Sequence, residues 1–542
     1  MHDLILGDKV QIAEQKGAIG VILYSDPYDF APDLLKNNKT FPEQIWLPPS
    51  GAQRGTLLRT NGDPATPFYP SKPYVHRSAT EESLRSQGIL PSIPVTSIGY
   101  RDAVKIFQNL DGAEVAVNRW RGSMETDYRF TGTSLFRLNV NTFISRRPIK
   151  NFVAVMHGRE EPDRWVLLGN HADAWVKGAI DPGTGTATIG WRPRRTLAFC
   201  QWDAEEFGLI GSTEWVEEMK VVLEKRAVAY INVDNINGNT TLQVKAVPLL
   251  YRAIVDAAKS QVAHPLPAPE KTIMKGAITG DKSIPAIQSP NSGSDFQRFI
   301  SFAGVPVADL KLESAPIYSY MLYHSMYEIP WTSDNLVDTS RKTYSALGKC
   351  GKLEMARNLA ESLIIPFNVE DYGLMLAEYC AKMDAQLLHL KIDLALGEDF
   401  YNRKLLFLQE AIEAFQESSN RIQQIVQAFN NNEIALSFRQ IDMLNSRLQY
   451  LERCFIVDAG IFEERAFFRH SIFTPSDHEL YSGISIIIDP AVKWSHAHNS
   501  KTKEKQKNAD YWLETVRIGF TKLQYTIESA VSLMSLDAFE NF

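Results

Sequence analysis

Cysteine and long apolar runs are both scarce in this sequence. Its 542 residues include four cysteines, which excludes a scaffold held together by many disulfides. No uninterrupted apolar run reaches the roughly 18 residues of a membrane-spanning helix. The first residues lack the charged-then-apolar pattern of an export signal. We therefore expect no membrane segment within these residues.

Charge of one sign is not in large excess either. Lys and Arg number 57 against 64 Asp and Glu, and the net charge of −7 argues against a general nucleic-acid binder. Hydrophobic residues make up 44% and charged residues 22%, a balance typical of globular proteins. At about 100–200 residues per domain, the length predicts about three domains.

Three regions differ in their sequence patterns. Residues 1–146 are rich in Pro, Gly and Tyr with short strand-like runs, which predicts a β-rich or mixed domain. Residues 147–356 alternate apolar runs with helical patterns and predict an α/β domain. Residues 357–542 predict a helical bundle. Its clearest helical spacing covers Leu387–Leu396, Asn402–Phe429 and Ile434–Ile456.

Ligand-type side chains follow three predicted strands of the α/β region. The strands are Trp165–Gly169, Thr196–Cys200 and Val228–Val233. Because open α/β sheets bind ligands outside the carboxyl ends of their strands, we expect the residues that follow to meet. These are His171 and Asp173, then Glu205 and Glu206, then Asp234, with Asp181 in a loop and Tyr323-His324 downstream.

A set of histidines and carboxylates without cysteine is typical of catalytic zinc. Two His and three carboxylates can hold two metals if one carboxylate bridges them, and a further carboxylate can take the proton of an attacking water. Glu205 and Glu206 are adjacent, so one could bind metal while the other faces substrate. Asp173 could hold the second ring nitrogen of His171. Each residue alone is equally compatible with a cap or loop role, and the two glutamates with the first turn of a helix.

Longer segments carry a resemblance to a known family. They are Gly17–Pro27, Gln53–Gly55, Trp191–Arg195, Trp202–Trp215, Ala229–Asn232, Tyr323–Ser325, Met443–Asn445 and Leu451–Arg453. In this order they resemble the glutamate carboxypeptidase II and transferrin receptor family of the zinc aminopeptidase-like clan. The resemblance implies an α/β fold in three parts. These are a protease-associated, β-rich apical domain over 1–146 that is incomplete at its N-terminus, a binuclear zinc-peptidase α/β sandwich over 147–356, and a transferrin receptor-like helical dimerisation domain over 357–542.

The resemblance also implies roles for individual residues. His171 and Asp234 would hold one zinc, Glu206 and His324 the other, and Asp181 would bridge the two. Glu205 would be the general base of hydrolysis through a metal-bound water, and Tyr323 would help to hold the tetrahedral intermediate. A structural calcium ion would be held by Thr66, Tyr69, Glu214 and Glu217.

The residues that read the substrate depart from those of glutamate-specific relatives. Leu6 replaces an Arg, Thr56 an Asn, and Leu480 the Lys that precedes Tyr481. Burying a substrate carboxylate without a cationic partner is costly, so a glutamate pocket is not expected. On the other side of the scissile bond, Ser294, Asp309 and Lys311 replace an Asn and two Arg of those relatives. Ser294 looks more like the residue in relatives that act as aminopeptidases or dipeptidases on apolar peptides. Asp309 could attract a free amino terminus.

Other readings stay open at this point. One alternative is a glutamate carboxypeptidase acting on acidic dipeptides. Another is a catalytically impaired, receptor-like homologue or isoform, because the chain begins inside the apical domain and lacks a helix between Asp181 and Trp191 that relatives carry. The family implies a membrane-anchored glycoprotein that faces the exterior as a homodimer. The two glycosylation sequons, at Asn38 and Asn239, are close to the number expected by chance.

Overall fold

The computed structural model describes most of the chain. The described residues are 6–32, 39–179, 193–235, 241–262, 287–290, 292–313, 321–337, 354–476, 484–500 and 508–537. Six residues named above lie outside these ranges, namely Asn38, Asp181, Trp191, Asn239, Leu480 and Tyr481. The segment that follows Asp181, up to residue 192, lies outside them as well.

The N-terminal region combines short helices with one small parallel sheet. Its strands are β1 (Val21–Tyr24) and β2 (Val95–Ile98), paired with Val21 opposite Val95. Its helices are α1 (Leu6–Gln15), α2 (Pro27–Phe30), α3 (Glu81–Ser86) and α4 (Tyr100–Phe107), with a 3-10 turn at Asn118–Trp120. Strand content in the described part of this region is therefore lower than expected. The repeated prolines between residues 42 and 94 explain this, because proline cannot donate to a strand ladder.

The central region is built on a six-stranded mixed sheet. Its strands are β3 (Phe152–Met156), β4 (Glu161–His171), β5 (Arg195–Trp202), β6 (Ala227–Asn232), β7 (Thr241–Ala246) and β8 (Val307–Glu313). They lie in the order β3-β5-β4-β6-β8-β7. The middle four are parallel, and β3 and β7 pair antiparallel at the two edges.

Helices flank this sheet, as its apolar strands require. They are α5 (Ile210–Arg226), α6 (Tyr251–Val262) and α7 (Phe296–Ala303), with a 3-10 turn at Pro248–Leu250. Every residue of β6 is buried, which is the pattern of a strand covered on both faces. The predicted strands are present, and β4 and β5 extend further than predicted. In β5 the added residues Arg195 and Trp202 are fully buried, whereas the residues added at the start of β4 are partly exposed.

The C-terminal region is helical. A short turn at Pro330–Thr332 (α8) and a π turn at Ser333–Val337 precede it. Its helices are α9 (Glu354–Glu361), α10 (Val369–His389), α11 (Ile392–Leu396), α12 (Glu398–Asn430), α13 (Phe438–Tyr450), α14 (Ser485–His498) and α15 (Ala509–Met534). Two further 3-10 turns cover Leu451–Phe455 and Glu463–Arg465.

The prediction that this region is helical is confirmed, but the bounds of the individual helices differ from those predicted. The stretch 402–429 falls within α12, whereas 387–396 spans the end of α10 and all of α11. The stretch 434–456 ends as a 3-10 turn rather than as helix. Helices α9, α14, α15 and most of α10 were predicted only as part of the bundle, without bounds of their own. Helix α15 packs against both α12 and α14, so its apolar residues do not form a single stripe.

One continuous apolar core joins the sheet to the helical region. Leu167 of β4, Phe299 of α7, Leu376 of α10 and Phe520 of α15 belong to the same cluster of buried residues. The helical region is therefore packed on the sheet of the same chain. Within the described residues, no helix combines the length and hydropathy needed to cross a bilayer.

Candidate active site

The first pair of candidate metal ligands lies at the ends of adjacent strands. His171 is the last residue of β4, and Asp234 follows the neighbouring parallel strand β6. The His171 Nε2 atom lies 3.2 Å from Asp234 Oδ1. The His171 side chain is 1% exposed. Parallel pairing alone thus brings together two residues that are 63 positions apart in the sequence.

The second pair joins the turn after β5 to the loop before α8. His324 Nε2 lies 2.9 Å from Glu206 Oε2, and both side chains are buried. Both loops bend through the left-handed region, with φ of 58° at Ala204 and 56° at His324. The Arg54 carbonyl oxygen lies 2.8 Å from His324 Nδ1, so the N-terminal region sets which ring nitrogen faces Glu206.

Further contacts hold the His324 loop against the N-terminal region. Leu47 packs with Leu322 and Val337 in one buried cluster. The hydroxyl oxygens of Ser50 and Tyr327 are 2.8 Å apart. The loop that carries a candidate ligand is therefore seated on the N-terminal region as well as on the sheet.

Asp173 organises the two glutamates rather than facing His171 with its carboxylate. Its carboxylate oxygens accept the backbone N–H groups of Glu205 and Glu206, at 2.9 and 3.1 Å. The His171 Nδ1 atom is 3.0 Å from the Asp173 backbone oxygen and 3.6 Å from its carboxylate. The backbone carbonyl of Asp173 is thus a nearer partner of the His171 ring than its carboxylate is.

Glu205 lies among other carboxylates. Burial raises the pKa of Glu205 well above its usual value, and the nearby charges of Asp234, Asp295 and Glu206 raise it further, while His171 opposes them. Burial would also raise the pKa of Asp234, but the bonds from His171 and Ser294 hold it well below the ordinary range. An acid-rich, buried cluster of this kind favours a bound cation.

The donor set fits zinc. Two imidazoles with carboxylates and no cysteine match the ligands of catalytic zinc sites. Among the described residues, no three His, Cys, Asp or Glu side chains are arranged as a single metal site. They form instead the two His–carboxylate pairs, and Asp181, the expected bridge between them, lies outside the described ranges.

The four candidate calcium ligands come from two elements that touch. Thr66 and Tyr69 lie in one loop, and Glu214 and Glu217 in the first turns of α5. Glu214 accepts backbone N–H groups of Asp63 and Ser71 from that loop, at 2.6 and 2.5 Å, and Glu217 pairs with Arg298.

Oxygen donors of these types suit calcium. The Thr66 hydroxyl is buried without a hydrogen-bond partner among the described residues, and burial raises the pKa of Glu214 to about 7. A cation between the loop and α5 would give the Thr66 hydroxyl a partner and would favour the charged form of Glu214.

Three of the candidate substrate residues surround Asp234 or belong to the strand beside it. Ser294 is buried and donates its hydroxyl hydrogen to Asp234. Asp309, on β8, accepts from Asn232 Nδ2 at 2.9 Å, and burial raises its pKa to about 6. Lys311 lies two residues further along β8 and is one of the charges that lower the pKa of Asp234.

Tyr323 is the most accessible of the candidate catalytic residues. Its side chain is 39% exposed, and its ring stacks on that of His324 with 3.5 Å between centroids. Tyr481 lies outside the described residues. Tyr323 thus lies beside the candidate site and is partly exposed.

Thr56 and Leu6, which the resemblance places where glutamate-specific relatives carry Asn and Arg, each contact other residues of the chain. The Thr56 hydroxyl donates to the Phe207 carbonyl at 3.2 Å. Leu6 lies so close to Gly55 that a Cβ there would come within 2.7 Å of its side chain. Neither side chain carries a positive charge that could pair with a substrate carboxylate.

Sequence reasoning missed several contributors. The Arg54 carbonyl acts through the backbone, so no side chain marks it. Asn232 stands at the end of the apolar strand β6, in a segment that carried the resemblance without a role of its own. A polar residue in a strand that is otherwise apolar is the signal that could have found it.

Comparison with known proteins defines the class. Residues 151–346, which include both ligand pairs, match the model of peptidase family M28. Residues 404–525 match the transferrin receptor-like dimerisation domain. The sheet with its candidate site thus matches peptidase family M28, and the helical region matches a dimerisation domain of the transferrin receptor type.

Full-length relatives narrow this class. A glutamate carboxypeptidase 2 homolog from Caenorhabditis briggsae is 34% identical over 97% of this chain and 71% of its own. Aminopeptidase NAALADL1 from Rattus norvegicus is 30% identical over 94% and 70% of the two chains. The alignment with a solved M28 peptidase precursor from Shewanella amazonensis covers 65% of this chain and 63% of that one, at 18% identity and a TM-score of 0.36. The chain belongs to the glutamate carboxypeptidase II-like family of M28 peptidases.

Proposed function

We propose that this protein is a zinc-dependent exopeptidase that hydrolyses short peptides. One observation carries the proposal: two His–carboxylate pairs lie near the carboxyl ends of the parallel strands of the mixed sheet, with the additional carboxylate of Glu205 beside them. His171 and Asp234 would hold one zinc ion, and Glu206 and His324 a second. Asp181 is proposed as the bridge.

Each side chain has a task in this proposal. Bound zinc would polarise the scissile carbonyl and lower the pKa of the attacking water. Glu205 accepts the proton of that water and returns it to the leaving amine. Asp173 holds the backbone of both glutamates, which fixes the distance between the base and its neighbour. Tyr323 donates a hydrogen bond to the oxygen that gains charge.

The residues expected to contact the substrate favour an aminopeptidase or dipeptidase over a glutamate-specific enzyme. Leu6 and Thr56 supply no cation where a glutamate side chain would need one, and the Thr56 hydroxyl already has a partner. The relatives bear names of both kinds, aminopeptidase and glutamate carboxypeptidase. The second candidate is therefore cleavage of acidic dipeptides.

Hydrolysis of two peptide sets tests this choice. One set has apolar residues and a free amino terminus, and the other ends in glutamate. We expect faster cleavage of the first set and loss of all activity on removal of zinc by a chelator. Preference for the second set would favour the glutamate carboxypeptidase. A folded, zinc-loaded chain that cleaves neither would point to the receptor-like alternative.

We also propose the accompanying structure. Residues 1–146 form a protease-associated apical domain, 147–356 the peptidase domain and 357–542 the dimerisation domain. A calcium ion joins the first two at Thr66, Tyr69, Glu214 and Glu217. The helical region pairs two chains, which is supported by its match to the transferrin receptor-like dimerisation domain.

A further inference from the structure

A row of buried polar side chains runs beneath the candidate ligand Asp234. Trp202 Nε1 donates to the Tyr230 hydroxyl at 2.9 Å, and that hydroxyl donates to Asn232 Oδ1 at 2.9 Å. Asn232 Nδ2 donates to the Ser294 hydroxyl at 2.9 Å, and Ser294 donates to Asp234 Oδ2. The first four side chains are each at most 2% exposed.

The direction of every bond in this row follows from its first member. An indole N–H can only donate, so the Tyr230 oxygen accepts and has one hydrogen to give to Asn232. The amide oxygen of Asn232 is then an acceptor, and both amide hydrogens are left to donate. One goes to Ser294, whose single hydrogen must then point to Asp234. The other goes to Asp309 Oδ1 at 2.9 Å.

Two neighbouring residues pack closely against the Tyr230 side chain of this row. A Cβ at Gly169 would lie 1.7 Å from the Tyr230 hydroxyl oxygen, so only glycine leaves room for that hydroxyl. The Tyr230 ring stacks on Phe299, with 3.9 Å between centroids and 10° between planes. Buried polar groups are costly unless they are hydrogen-bonded, and this row satisfies each member through the next.

We propose that Asn232 is a positioning residue for Asp234. It holds the Ser294 hydroxyl so that its hydrogen meets Asp234 Oδ2, while Asp234 Oδ1 faces His171. This rests on the proposed function, in which Asp234 and His171 hold a zinc ion. It also gives Ser294 and Asp309 a supporting task beneath the ligand, in place of direct contact with substrate.

Zinc affinity of the purified full-length chain tests the proposal. The dissociation constant is measured by competition with a chromophoric chelator. Tyr230→Phe keeps the ring and removes only the hydroxyl, and Asn232→Leu removes the amide. Partners of metal ligands typically contribute 10- to 100-fold to metal affinity, and we expect a loss of about that size in both variants. Ser294→Ala should weaken zinc binding similarly, whereas Ser294→Thr, which keeps a hydroxyl, should bind as the unmodified chain does.

Phe299→Leu is the matched control for packing. It removes the ring that stacks on Tyr230 and none of the hydrogen-bonding atoms. We expect a lower melting temperature with unchanged zinc affinity. Equal weakening by Phe299→Leu and Tyr230→Phe would overturn the proposal, because general loosening would then explain both.

Different results would overturn the proposed zinc-dependent function and the proposed role of Asn232. If the unmodified chain binds zinc, and Tyr230→Phe and Asn232→Leu bind it equally well, the proposed function stands and the role of Asn232 is overturned. If the folded, unmodified chain binds no zinc, the proposed function fails, and the role of Asn232 fails with it. Should Asn232→Leu not fold, Tyr230→Phe alone decides the matter.

Discussion

At the scale of single residues, the candidate site was largely predictable. Histidines and carboxylates that follow apolar strands were expected to converge, and the structure pairs His171 with Asp234 and Glu206 with His324. The contribution of Arg54 was not predictable. Its carbonyl meets an imidazole 270 residues away, and a backbone atom leaves no mark on the sequence.

Glu205→Gln tests the proposed general base. The amide cannot take a proton from water, so turnover should fall by about 10²- to 10⁴-fold while zinc content is unchanged. Hydrolysis rate and zinc content are measured on the same sample. Glu218→Gln is the control, since Glu218 lies on the outer side of α5 and pairs with Lys72. A Glu205→Gln chain that retains full activity would exclude the assigned role.

Asp173→Ala tests the acceptor that holds the two glutamates. Without its carboxylate, the N–H groups of Glu205 and Glu206 lose their bonds, and both side chains become less fixed. We expect kcat to fall by about tenfold or more with a smaller change in KM, because misplacement of reacting groups chiefly affects the chemical step. Steady-state kinetics measure the split. An unchanged kcat would show that the turn holds its shape without Asp173.

At the scale of elements, apolar continuity predicted the parallel strands but not their full lengths. Strand β5 continues through Arg195 and Trp202, which the sheet buries. Strand β4 continues through the buried His171 at its end and through partly exposed residues at its start. The bounds of α15 and of most of α10 were not predicted, because helices packed on several sides carry no single apolar stripe. Helices with one apolar face and one solvent-exposed face were thus easier to predict than helices enclosed by their neighbours.

Gly169→Ala tests the packing between β4 and β6. The new methyl would overlap the Tyr230 hydroxyl, and overpacking of this kind typically costs about 1–3 kcal/mol of stability. Urea unfolding measures the loss. In the Gly169→Ala/Tyr230→Phe double variant, part of the overlap is relieved, so the double variant should lose less than the sum of the two single losses. Strict additivity would show that the hydroxyl is not the obstacle.

At the scale of the whole molecule, one apolar core unites the sheet and the helical region. Helix α15 nevertheless leaves an apolar row exposed, consisting of Tyr511, Ile518 and Tyr525. These residues recur every seven positions and lie within the segment that matches the dimerisation domain. Such a row suits the contact between two chains.

Ile518→Glu tests this contact. A buried, unpaired carboxylate would oppose association, so the variant should be monomeric where the unmodified chain is dimeric. Light scattering coupled to size-exclusion chromatography gives the mass of each. Ile19→Glu makes the same change at a residue that is 90% exposed in the N-terminal region, and it should leave the mass unchanged. An Ile518→Glu dimer would place the contact elsewhere.

The most direct test of the whole account is the zinc content of the purified protein, measured by mass spectrometry of the metal without added zinc. The two His–carboxylate pairs predict close to two zinc ions per chain. A folded sample with essentially none would contradict the assignment of these residues as a metal centre, and with it the proposed peptidase activity.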